Sequence, residues 1–133
     1  MLFARNGGME CYFGSYPRRN ATSEDKNLVC FSIPAAGIVF KAPFGAAERL
    51  HSEYASLLTL LEFIELNGKL FKDQELKIFG DNLELINQVN KKAPCRYEYS
   101  ELLKKALDYK KKYNFRLGWV SKDRNPSTDS LFD

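Results

Sequence analysis

Apolar positions along this chain recur with two periods, and the changes between them mark its elements. Residues 9–16 (MECYFGSY) and 28–33 (LVCFSI) are dense in aromatic and β-branched side chains bounded by turn formers, and predict two strands. The stretch between them, PRRNATSEDK, is polar, contains Pro17 and predicts a loop. Pro34 to Gly37 predicts a turn, and residues 38–41 a short third strand that ends before Pro43 and Gly45. From Ala46 to Asn67 the spacing becomes helical, with Leu50, Tyr54, Leu57, Leu58, Leu61, Ile64 and Leu66 recurring at that period and Asn67-Gly68 as the stop. Residues 76–79 predict a strand running through Gly80 into Asp81, and residues 82–90 a helix, with Pro94 closing the unit. Tyr99 to Tyr113 predicts an amphipathic helix with Leu102, Leu103, Ala106, Leu107 and Tyr109 inward and its lysines outward. Residues 115–120 predict a fifth strand, and Asn125-Pro126 opens a short terminal helix.

This order implies an α/β fold with one mixed five-stranded sheet, three strands antiparallel and then two parallel, flanked by helices. A length of 133 residues at 44% hydrophobic content suits a single domain spanning residues 1–133. Ten Phe, seven Tyr and one Trp argue against disorder, because burying them offsets the entropy of ordering the backbone. No apolar run is long enough for a membrane span and the first residues do not resemble a signal peptide, so a soluble, cytoplasmic protein with no membrane partner is expected. Cys11, Cys30 and Cys95 form neither an even disulfide set nor a pair at zinc-ligand spacing, and are expected to be buried reduced thiols. His51 is the only histidine and is assigned a structural or surface role, which leaves any chemistry to carboxylates.

A net charge of +3 conceals a division. Eleven Lys or Arg between Lys91 and Arg124 face four acids, giving that segment +7 and the remainder −4. Tyr97, Tyr99, Tyr109, Tyr113, Phe115 and Trp119 are interleaved with these cations, a pattern that fits either a nucleic-acid footprint or an ordinary solvated helix face. Three acids fall where elements begin or end: Glu53, Asp81 and Asp129. Brought together at one edge of a sheet they would form an oxygen site for Mg²⁺ or Mn²⁺, and a pair of such ions about 4 Å apart supports phosphodiester hydrolysis. Taken singly, each reads more readily as a surface charge or helix cap than as a metal ligand.

The element order and three motifs resemble the type 1 ribonuclease H family, in particular its archaeal-like branch, over about residues 9 to 133. HSEYASLLTLLEFI is similar to the family's helix beginning around "AEY", whose catalytic glutamate falls on Glu53. IFGDNLELINQV is similar to its "GDSxLVIxQ" junction, with the aspartate on Asp81 and the small polar neighbour on Asn82. The run from Tyr99 to Asp129 resembles its helix, strand and "V-x-R-x-x-N-x-x-A-D" ending, with the Asn and last Asp on Asn125 and Asp129.

The resemblance implies a ribonuclease H-like fold, Mg²⁺ or Mn²⁺ bound by Glu53, Asp81 and Asp129, and cleavage of the RNA strand of an RNA–DNA hybrid. It also implies nucleic-acid contacts from Gly14, Ser15, Arg49, Asn82, Arg124 and Asn125. The basic helix adds Lys110, Lys111 and Lys112 through charge. The departure lies in the first strand, where the family's "Y-x-D-G-S" becomes CYFGSY and Phe13 stands at the bridging aspartate. Strand alternation puts Cys11, Phe13 and Ser15 on one face and Glu10 on the other, so Glu10 is a poor substitute. Asn6-Gly7-Gly8 offers an alternative alignment but only a neutral, weaker ligand. Two functions therefore stay open: a metal-dependent ribonuclease H, or a degenerate module that binds nucleic acid or a protein partner without cleaving.

Overall fold

A computed structural model describes residues 8–17, 27–45 and 48–128. Five strands, β1 (Met9–Pro17), β2 (Asn27–Ile33), β3 (Ile38–Phe44), β4 (Leu76–Gly80) and β5 (Arg116–Trp119), form one sheet in the order β3-β2-β1-β4-β5. β1 and β2 run antiparallel, as do β2 and β3, whereas β4 lies parallel to β1 and β5 parallel to β4. The mixed sheet expected from the sequence is therefore present. Its helices are α1 (Arg49–Leu66), α2 (Gly68–Phe71), α3 (Leu83–Val89) and α4 (Ser100–Tyr113). Among the described residues, no helix is long and apolar enough to cross a membrane.

The core follows from the two periodicities. Alternation in β1 buries Met9, Cys11, Phe13 and Ser15 and leaves Glu10 exposed. Helical spacing in α1 buries Leu50, Tyr54, Leu57, Leu60, Leu61 and Ile64. Burial also pushes the Cys11 thiol up to about 12 and Cys30 up to about 11, so both are inert thiols.

Several boundaries differ from expectation for local reasons. β3 does not stop at residue 41 but runs through Pro43 to Phe44. It is an edge strand, where proline's missing N–H can face away from the ladder. The long helix is described from Arg49, residues 46–47 lying outside the described residues, and its stop is followed at once by the extra turn α2. On α4 only Ala106 is fully buried, while Leu102, Leu103, Leu107 and Tyr109 are half-buried against the core. The expected terminal helix begins as a single 3-10 turn, Pro126–Thr128. Asn6, the loop residues 18–26, and Asp129 with the rest of the C-terminal segment lie outside the described residues.

Candidate functional site

The parallel strands β1 and β4 are paired only as far as Tyr12 and Phe79. Beyond that point β1 continues beside β2 alone, and a crevice opens at the carboxyl ends of β1 and β4, where open α/β sheets place their ligands. Backbone groups of β1 that face this crevice need other partners, since a buried peptide group left unpaired is costly. Side chains from α1 and the C-terminal turns supply them.

Glu53 approaches from α1. Its Oε2 accepts hydrogen bonds from the Ser15 backbone N–H at 2.9 Å and from Ser15 Oγ at 2.8 Å. Arg49, one helical turn earlier, donates from Nη2 to the Ser15 carbonyl at 2.6 Å and places Nε 3.5 Å from Glu53 Oε2. Ser56 Oγ donates to the Gly14 carbonyl at 2.7 Å. The carboxyl of Glu53 is fully buried, and its Oε1 has no hydrogen-bond partner. Burial raises its pKa above the usual carboxylate value, opposed by the Ser15 hydroxyl bond and the Arg49 charge and reinforced by Asp81.

Asn125 closes the opposite side. Its Nδ2 donates to the Phe13 carbonyl and to Asp81 Oδ2, both at 2.9 Å. Its Oδ1 accepts from the Ser127 N–H at 3.0 Å and Ser127 Oγ at 2.6 Å, so the buried amide is satisfied at every atom. Gly14 is required by this arrangement: a Cβ there would sit 2.9 Å from Thr128 Cγ2 and 3.1 Å from Asn125 Nδ2.

Phe13 takes the remaining space. A Cβ on Gly80 would lie 2.5 Å from Phe13 Cζ and 2.7 Å from Cε1, so the ring rests against the Gly80 α-carbon immediately before Asp81. Phe13 is wholly buried.

The structure thus brings Glu53, Asp81, Arg49, Ser15, Gly14 and Asn125 to one crevice, and Asp129 lies outside the described residues. Gly14, Ser15 and Asn125 are expected from the sequence as nucleic-acid contacts, but they are buried and spend their polar groups inside the protein. Asn82 caps α3, accepting from the Leu85 N–H at 3.0 Å. Arg124 is exposed beside the crevice. Lys110 donates to Asn90 Oδ1 at 2.8 Å, Lys112 pairs with Glu65 at 2.8 Å, and Lys111 is exposed. His51 packs edge-on against Phe44 and Tyr99, a structural placement.

Among the described residues, which exclude Asp129, no three His, Cys, Asp or Glu side chains converge. The Phe13 ring lies against Gly80, and Glu53 Oε2 is held by Ser15 and Arg49 while its Oε1 has no partner. Sequence reasoning missed Ser56 and the part of Arg49 directed at β1. Ser52, Glu53 and Ser56 nevertheless form a buried polar cluster on α1 among leucines, and that interruption of the apolar stripe was a readable sign.

No protein-family model matches the sequence, and no curated protein matches it. Solved structures do match. RNase H1 from the halophilic archaeon Halobacterium salinarum superposes with a TM-score of 0.74 at 17% identity, covering 94% of this chain and 94% of that one. LC11-RNase H1, isolated from compost by a metagenomic approach and solved in complex with an RNA/DNA hybrid, gives 0.73 at 17% identity over 89% of this chain and 88% of its own. The N-terminal RNase H domain of a Mycobacterium tuberculosis protein gives 0.67 at 17% identity over 92% of this chain and 95% of that one. The sheet order and these likenesses define an α/β protein with the ribonuclease H-like fold. Its structural neighbours include type 1 ribonucleases H of archaeal, bacterial and metagenomic origin.

Proposed function

We propose that this chain is a single-domain nucleic-acid-binding module on the ribonuclease H-like fold that binds RNA–DNA hybrid without cleaving it. The observation that carries this reading is the ring of Phe13 against Gly80, in a crevice where Ser15, Arg49, Asn125, Asp81 Oδ2 and one oxygen of Glu53 are engaged with protein groups and Glu53 Oε1 has no partner. A hybrid is the ligand of the LC11 neighbour, and the basic segment from Lys91 to Arg124 supplies the matching charge. Binding of this kind rests on phosphate neutralisation, so affinity falls steeply as salt rises. Free thiols at Cys11, Cys30 and Cys95 suit a reducing compartment, the cytoplasm in this reading.

The rival reading is hybrid cleavage with Mg²⁺ or Mn²⁺ through Glu53, Asp81 and Asp129. One observation favours it: the charge of Asp81 raises the pKa of Glu53, so these two acids lie within electrostatic reach. An assay of hybrid cleavage in Mg²⁺ and in Mn²⁺, run beside Asp81→Asn and paired with a binding titration, separates the two. Salt-sensitive binding with no cleavage is the expected result. Metal-dependent cleavage abolished by Asp81→Asn would overturn the proposal, and no hybrid binding at any salt would point instead to a protein partner.

A further inference from the structure

Trp119 is the only tryptophan of the chain and the last residue of β5, the edge strand next to β4. By strand alternation it shares a face with Phe115 and Leu117, which are 2% and 7% exposed. Trp119 itself is 51% exposed. Packing alone does not fix a half-exposed indole, and this one is oriented by a hydrogen bond. Its Nε1 donates to the Asp81 carbonyl at 3.1 Å, and the next residue anchors the strand end through Val120 N–H to the Gly80 carbonyl at 2.9 Å. An aromatic surface already held in one orientation loses little entropy when a flat ligand covers it.

The chain that follows supplies cations. Lys122 and Arg124, opposed by Asp123, line a cleft of about 480 Å³ together with Asn125, Pro126 and Thr128. Asn125 in that cleft is bonded to the Asp81 carboxylate, and the indole is bonded to the Asp81 carbonyl, so both features are anchored on one residue. Asp81 has one carboxylate oxygen held by Asn125, which limits its repulsion of an approaching phosphate. Exposed aromatic faces beside cationic grooves are how proteins hold single-stranded nucleic acid, because every base has a π-face and stacking needs no particular sequence.

We propose that Trp119 is a stacking platform for an unpaired base and that the Lys122–Thr128 cleft holds the adjoining phosphate. The inference rests on the nucleic-acid reading above and narrows it: the favoured ligand is a hybrid with a single-stranded overhang, not a blunt one. Bases within a duplex are stacked on both faces and offer the indole nothing except at an end.

Because the protein has one indole, its emission reports directly on the site. The intact chain is titrated with a labelled hybrid carrying a single-stranded overhang, with the same hybrid blunt-ended, and with inorganic polyphosphate. Tryptophan emission and label anisotropy are read together. Stronger quenching by the overhang than by the blunt hybrid, and none by polyphosphate, is expected, with Trp119→Ala weakening overhang binding roughly 5- to 100-fold and Trp119→Phe retaining most of it. Trp119→Ala is expected to leave the salt slope unchanged, whereas Lys122→Glu with Arg124→Glu lowers it. Circular dichroism confirms that each variant is folded. Equal binding of overhang by wild type and Trp119→Ala, or equal quenching by polyphosphate, overturns the platform while leaving hybrid binding intact. Failure of the wild type to bind any of the nucleic acids defeats the nucleic-acid reading itself.

Discussion

Glu53 is a carboxyl group for which ionisation in place is costly, since burial removes its solvation and Asp81 adds repulsion. A folded pKa raised above the ordinary 4.5 contributes stability that is complete below that value and is lost as pH rises through the raised one. Glu53→Gln cannot titrate, so whatever fixed cost the amide brings, the stability difference should move toward the variant as pH rises from below 4.5 to neutrality. Urea unfolding of both proteins across that range checks this, and parallel curves would contradict the raised pKa. Glu53→Ala removes the acceptor of the buried Ser15 N–H and should cost about 1–3 kcal/mol at neutral pH in the same measurement. The burial of Phe13 was legible in the sequence, because strand alternation puts it on one face with Cys11 and Ser15. The bonds from Arg49 and Ser15 to each other's elements were not legible, because they depend on β1 continuing past the end of its pairing with β4.

At the level of elements, the crevice is closed by fit between one residue of β1 and one of β4. Gly80→Ala would place a methyl group 2.5 Å from Phe13 Cζ, an overpacking that typically costs about 1–3 kcal/mol. Phe13→Ala empties a wholly buried site and should cost about 3–5 kcal/mol. If the ring and the glycine are matched, the double variant is less destabilised than the sum of the two, because the methyl enters the space the ring has left. A double-mutant cycle by denaturant unfolding reads this coupling, and strict additivity would mean that the ring moves freely away from Gly80. The strands and helices that frame the crevice were legible from periodicity, since Leu50 to Ile64 and Met9 to Ser15 each keep one spacing throughout. Two details resisted. Pro43 reads as a stop, yet an edge strand tolerates it, and α2 follows the Asn67-Gly68 break with too few residues to show a period.

Over the whole molecule, segregated charge is the property that decides how a polyanion meets this surface, and the folded structure distributes it less simply than the sequence does. The run Lys110-Lys111-Lys112 reads as three equal cations, but Lys110 is half-buried on Asn90, with its pKa lowered by burial and by the Lys91 charge, and Lys112 is paired with Glu65. Lys104 is likewise paired with Asp108 at 3.2 Å. Lys111 is exposed and has no ion-pair partner among the described residues. The three lysines should therefore contribute unequally to binding. Each phosphate neutralised by a free cation releases a counterion, so Lys111→Ala should reduce the slope of log affinity against log salt by about one and weaken hybrid binding at low salt. Lys112→Ala removes a charge already shared with Glu65, frees that acid on the same face, and should lower affinity with a smaller loss of slope. Titrations at several salt concentrations on the intact chain and both variants measure these slopes. Identical slopes for wild type and Lys111→Ala would make the α4 face a solvated surface and move the phosphate contacts to Lys122 and Arg124, beside the crevice that Phe13 closes.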